Sequence, residues 1–376
     1  MSEATAGPRY GIDPYLDWVN AEGMPVIEGD YAIDLFAVET GPWARVGTNG
    51  AAVHLKGRGD FCNMFLFEIA PGGSSAPMRH LYEDLYYVLE GHGSTQIELP
   101  DGSKRSFEWS PKAMFSIPMN MPHRHFNADG RERALIVTTT NMPLIMNTFH
   151  NEAFIFDNPF SFQERAGKES YYSGEGDFIP IRPGNHLWET NFVPDMASIK
   201  LHEYADRGGG SSNSKFDLAD GIMSGHMSEM PVGTYKKAHR HGPGTHVICV
   251  TGHGYSLLWY DGDKDYTRIE WRHGVVFPPC QSQIHQHFNT SHEPARYLAM
   301  GIGNVRYPFT TQKRQTMIGE KGKKQRSSMS IKEGGNQIEF EDQDPRIHAE
   351  WLDEMRKAGI EPRMDALGKK LEVGGL

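Results

Sequence analysis

Along most of the chain, hydrophobic and polar positions alternate in short runs separated by glycine, proline and small polar residues. A period of two is what a strand with one buried face requires, and the punctuation marks turns between strands. FCNMFLFEIA (61–70), LYYVLEGHGSTQIEL (85–99) and KAMFSIP (112–118) read as strands in the first half, and MSGHMSEM (223–230), HVICVTGHGYSLLWY (246–260) and GVVFPP (274–279) in the second. One stretch has a helical period instead. In DPRIHAEWLDEMRKAGI (344–360), Asp344 is placed to cap, Pro345 suits the first turn and Gly359 suits the stop. Its apolar stripe, Ile347, Trp351 and Met355, is spaced for packing on a domain or a partner.

The two halves repeat. His80 matches His241 and Gly91-His92-Gly93 matches Gly252-His253-Gly254, both at an offset of 161 residues. PHRHFN (122–127) matches IHQHFN (284–289) at an offset of 162. Two independent motifs at nearly one offset indicate a duplicated unit. The chain therefore divides into an N-terminal arm (1–50), a first unit (51–145), a connection (146–200), a second unit (201–310) and a C-terminal extension (311–376) that carries the helix. The 376 residues suffice for two domains of average size.

Composition narrows the function. A net charge of −10 argues against broad binding to nucleic acid or anionic membrane, because both need a basic surface. The basic run EKGKKQR (320–326) is too short to change that and reads as a solvated loop. MSEATAGPRY at the start lacks the pattern of a secretion signal, and no apolar stretch is long enough to span a bilayer, so a soluble, cytoplasmic protein is expected. Cys62, Cys249 and Cys280 form no CxxC pair, which suggests neither a disulfide framework nor a zinc ribbon.

The candidate chemistry lies in AHRHGPGTH (238–246). Alternate residues of a strand share a face, so His239 and His241 point the same way. In the second unit Gly233, His239-Arg240-His241, Gly252 and His285-Gln-His-Phe-Asn289 stand at the spacings of the two cupin motifs, and both halves resemble cupin domains. The resemblance implies an all-β fold of two tandem jelly-roll barrels, with His239, His241 and His285 as metal ligands. The usual glutamate is missing, since its spacing lands on Thr245 or His246. That leaves a three-histidine site similar to that of gentisate-type ring-cleaving dioxygenases, with His246 as an alternative fourth ligand. The first unit has Met78, His80, Asp84, His123 and Asn127 at the corresponding positions; with a thioether in place of one imidazole, it reads as a degenerate site.

Three neutral imidazoles would leave a divalent ion its full charge and open positions, which favours a small chelating anion as substrate, with dioxygen beside it. The resemblance therefore implies an Fe(II) dioxygenase acting on a hydroxylated aromatic acid. Mn, Ni or Zn and non-oxidative cupin chemistry (decarboxylase, lyase or isomerase) are the alternative, and a non-catalytic ligand-binding accessory protein is a third reading. Arg240, Lys236, Lys237, Arg268 and Arg272 are candidate anion partners; Tyr255 and Trp259 are candidates to line the barrel, and His287 to support the ligands from behind. His92, His125 and His253 read as structural. A homo-oligomer is expected, with the N-terminal arm placed to embrace a neighbour.

Overall fold

The computed structural model describes residues 10–182, 185–208, 210–318 and 325–364. Nearly all of MSEATAGPRY and most of the basic run at 320–326 lie outside the described residues.

The alternating runs become two stacked pairs of sheets. In the first half, Thr48–His54, Asn63–Ile69, Ala134–Thr140, Asp84–Glu90 and Met114–Ser116 pair in that order within an eight-stranded sheet, and His123–Asn127, Gly93–Glu98 and Lys104–Trp109 form a three-stranded sheet. The second half repeats this arrangement. Ser212–Leu218, Met223–Met230, Ala295–Ile302, His246–Thr251 and Val275–Phe277 lie in a nine-stranded sheet, and Thr267–Arg272, His253–Trp259 and Ile284–Asn289 form the facing three-stranded one. Each pair of sheets encloses a barrel interior, as a jelly roll does. The fold is all-β apart from a few short helices and the C-terminal one.

Each large sheet has two buried faces, and its strands show why. In Asn63–Ile69, Phe65, Phe67 and Ile69 fill the first barrel, while Met64 and Leu66 point the other way. The outward residues of both large sheets meet in one core, where Leu66, Leu85, Tyr87 and Val137 are buried with Phe216, Met227, Ile248, Val250 and Leu298. The two barrels are therefore joined back to back through apolar burial, the dominant favourable term in folding.

The segment expected to be an arm is built into the fold. Residues 14–21 form a helix and Val26–Glu28 pairs in parallel with Thr48–His54. Ile33–Asp34 crosses to pair with Val275–Val276 of the second barrel, and Phe192–Val193, from the connection, pairs with Met114–Phe115 of the first. Each half thus lends a short strand to the other half's sheet edge, covering edges that would otherwise expose unpaired backbone.

The C-terminal helix runs Pro345–Ala358, with Asp344 accepting from the Arg346 N–H at 2.9 Å and Gly359 in the left-handed conformation at φ 67. Its stripe packs on this chain's own second barrel, where Ile347, Trp351 and Met355 are buried with Tyr235, Tyr255, Leu257 and Phe288. Among the described residues no helix is long and apolar enough to cross a membrane.

Candidate metal centre

Three histidines converge because two strands pair back to back at one residue of each. The His239 N–H donates to the His285 carbonyl at 3.0 Å, and the His285 N–H donates to the His239 carbonyl at 2.9 Å. This reciprocal pair puts both rings on one face, with centroids 4.2 Å apart; His241 follows at 4.7 Å from His285. One ring nitrogen from each residue lies within 4.8 Å of the other two. On the far side, the C-terminal extension adds a third layer, since the Arg240 N–H donates to the Asn336 carbonyl and the Ile338 N–H to the Ala238 carbonyl.

The rings are prepared as neutral donors. Burial holds His239 and His285 well below the usual imidazole range and His241 down to about 4, with the Arg207 guanidinium adding to the effect. At neutral pH all three keep the lone pairs that metal binding needs. His241 Nδ1 lies 2.7 Å from the Gly242 carbonyl and His285 Nδ1 3.1 Å from that of Gln283; both can only donate there, which leaves each Nε2 as the donor atom. Among the described residues His239 Nδ1 is buried without a hydrogen-bond partner. These observations fit a divalent ion held by three imidazoles. The donor set suits Fe, Mn, Ni and Zn alike, so the expectation of iron is not decided by it.

The triad opens onto a cavity of about 150 Å³. Arg207, Lys215, Lys236, Arg240 and Lys313 line it, and among the described residues no aspartate or glutamate does. His226, Ser228, Tyr297 and His287 also line it. His287 is oriented by a relay. The Trp271 indole N–H donates to Ser256 Oγ at 3.0 Å, and Ser256 Oγ lies 2.8 Å from His287 Nδ1. The indole can only donate, so satisfying the serine hydroxyl makes Nδ1 the acceptor and places the ring proton on Nε2.

Several expected residues lie elsewhere. His246 starts the strand one position out of phase with Thr245, which lines the cavity; its neighbours on the same face, Ile248 and Val250, are buried against the first barrel. It is therefore turned away from the cavity that the triad opens onto. Tyr255 and Trp259 also correct the expectation, because they point away from the interior. Tyr255 stacks on Phe288 at 4.5 Å under the C-terminal helix, and Trp259 packs on Tyr266. Of the anion partners, Lys236 is inside the cavity and Arg240 sits at its edge paired with Asp261. Lys237 pairs with Glu339, Arg268 with Glu270 and Glu350, and Arg272 with Asp34, all outside it. His287 lines the cavity 5.5 Å from His285, ring to ring.

Arg207, Lys215, His226 and Lys313 were not singled out from the sequence. For His226 a signal existed: at the offset of 161 it stands opposite Phe65, and Ser228 opposite Phe67, so the repeat itself marks where an aromatic filling gives way to polar groups.

The first barrel's counterpart is closed. Tyr86 Oη lies 3.1 Å from Asp84 Oδ2 and 3.4 Å from His123 Nε2, and His80 Nε2 is 3.5 Å from Asp84 Oδ2. Met78 exchanges backbone bonds with His123 as His239 does with His285. Residues 65–139 match the cupin domain family. The match covers the barrel whose site is filled, whereas the triad lies in the other. Among solved structures, a variant of the oxalate decarboxylase of Bacillus subtilis is similar at 13% identity over 74% of this chain and 78% of that one, with a TM-score of 0.47. The formate complex of the Lactobacillus farciminis oxalate decarboxylase is similar at 13% identity over 73% and 86%, with the same TM-score.

Proposed function

We propose that the second cupin-like barrel is a metal-dependent enzyme acting on a small chelating anion by non-oxidative chemistry, as a decarboxylase, lyase or isomerase. The observation that carries this reading is a cavity lined, among the described residues, by five lysine and arginine side chains and no carboxylate, opening onto three neutral imidazoles. Such a field attracts an anion. His239, His241 and His285 would hold the ion, which when bound supplies Lewis-acid polarisation of a coordinated oxygen. The chain's own groups supply the rest. His287 presents its Nε2 proton and Tyr297 lines the same cavity, so residues able to donate are in place for a reaction that returns a proton to carbon.

An oxygen-using reading, with Fe(II) and a hydroxylated aromatic acid, is favoured by one feature: three protein ligands leave positions for both an anion and dioxygen. The two readings separate in one experiment. Protein purified without added metal is analysed for elemental content, then assayed with a panel of small carboxylates under air and under argon. Turnover that persists under argon supports the non-oxidative reading. Turnover that requires oxygen and iron moves the assignment to a dioxygenase, and a chain that rejects every divalent ion sinks both.

A further inference from the structure

Lys236 is 2% exposed and faces the cavity, with its ammonium 4.9 Å from the centroid of the Tyr297 ring. Among the described residues no carboxylate lies within ion-pair distance of it. The nearby Glu229 is engaged with Arg296 at 2.7 Å. A buried cation without a counter-ion is expensive, and such groups persist where function needs them. Burial and the Arg207 charge hold the Lys236 ammonium down to about 7. Arg207 donates to a neutral partner, Gln337 Oε1 at 3.3 Å, has no ion pair among the described residues, and brings a second charge to the same cavity. At the equivalent position of the first barrel, whose interior is packed by Phe65, Phe67, Tyr86 and Ile136, the residue is Ser75; the Ser75 and Lys236 N–H groups both donate to the carbonyl of the matching histidine, His125 or His287. The lysine thus stands in the barrel that holds the cavity.

We propose that Lys236 and Arg207 form the seat for a second anionic group, so that the substrate is a dianion with one end at the histidine triad and the other at this seat. The proposal rests on the metal-and-anion reading above and narrows its substrate class. Lys236 and the triad line one cavity of about 150 Å³, so both anionic groups would belong to one small molecule, and dicarboxylates of different length report the separation between the two ends.

The test uses the full chain, with Zn(II) bound and again after chelation, titrated calorimetrically with succinate, glutarate, adipate and butyrate. The Zn(II)-loaded protein is expected to prefer the best dicarboxylate over butyrate by tenfold or more. Lys236→Met should weaken the dicarboxylate at least tenfold more than butyrate; Lys236→Arg should retain part of the preference, and Arg207→Gln should reduce it. Equal losses for all four anions, or none, would overturn the seat, as would a parent protein that binds no dicarboxylate. If the chelated protein keeps the preference and Lys236→Met loses it, the seat stands while the metal's part in substrate binding falls; a preference lost on chelation but unaffected by either substitution does the reverse.

Discussion

The two barrels share a scaffold and differ in what fills it. Both carry the same relay behind a histidine: Trp109, Thr95 and His125 in the first repeat the geometry of Trp271, Ser256 and His287 in the second. Both anchor a turn with one asparagine amide; Asn127 donates to the carbonyls of Ile69, Ala70 and Glu132, and Asn289 to those of Met230, Pro231 and Glu293. The interiors diverge. Phe65, Phe67, Tyr86 and Ile136 pack the first, and His226, Ser228, Val247 and Tyr297 stand at the matching offset in the second. His125 Nε2 is consequently buried without a partner, whereas His287 faces open space. The features that close the barrel have been kept in both halves, and a few side-chain volumes decide which half has a site.

The largest expected effect tests whether the difference is one of metal. His285→Ala should remove nearly all bound metal, because two imidazoles bind a divalent ion far more weakly than three, while His123→Ala, its counterpart, should leave metal content unchanged. Elemental analysis of both, with circular dichroism to confirm the fold, decides it. Equal losses would mean that the first barrel is also a metal site.

A second experiment transplants the filling. Ser228→Phe with Val247→Tyr gives the second barrel the bulk of Phe67 and Tyr86. Anion affinity should fall at least a hundredfold while metal content falls little, since neither position is in the triad. Undiminished binding of succinate or butyrate would show that the anion does not enter the barrel interior, which would break the argument from volume.

Much of this comparison was legible in the sequence because duplication leaves a fixed offset and strands leave a period of two. The offset paired His80 with His241 and His123 with His285, and the cap, proline and glycine around 344–359 marked the helix before any contact was known. The misplaced residues have a common cause. Tyr255 and Trp259 do lie on one face, as alternation requires, but a period of two cannot say which face is inside; the helix at Pro345–Ala358, more than 80 residues later in the chain, covers it. His246 fails for the same reason, since it shares a phase with the residues that bind the barrels together. Arg207 and Lys313 come from outside the strands, on the short helical turn Ala205–Arg207 and the helix Thr311–Met317, where no periodicity connects them to the triad.

The smallest effect concerns Asp84, which stands at the position of Thr245. Burial raises its carboxyl to about 7, against hydrogen bonds from Thr140 and Tyr86 that act the other way. The folded state therefore holds this proton more tightly than the unfolded chain, so Asp84's contribution to stability is fully present below about 4 and is lost as pH rises to about 7. At ~1.4 kcal/mol per tenfold change in proton affinity, the loss is on the order of 4 kcal/mol. Asp84→Asn keeps the shape and removes the titration. The variant should match the parent in denaturant unfolding at pH 4 and exceed it above pH 7. His80, which burial holds down to about 4, titrates with the opposite sign and lies 3.5 Å from the carboxyl, so the arm at pH 4 reads the pair and the arm above pH 7, where the ring is neutral in both proteins, reads the carboxyl. A variant less stable than the parent at pH 8 would show that Asp84 is held there as a carboxylate by a cation, and the first barrel would then have to be reconsidered as a charged site.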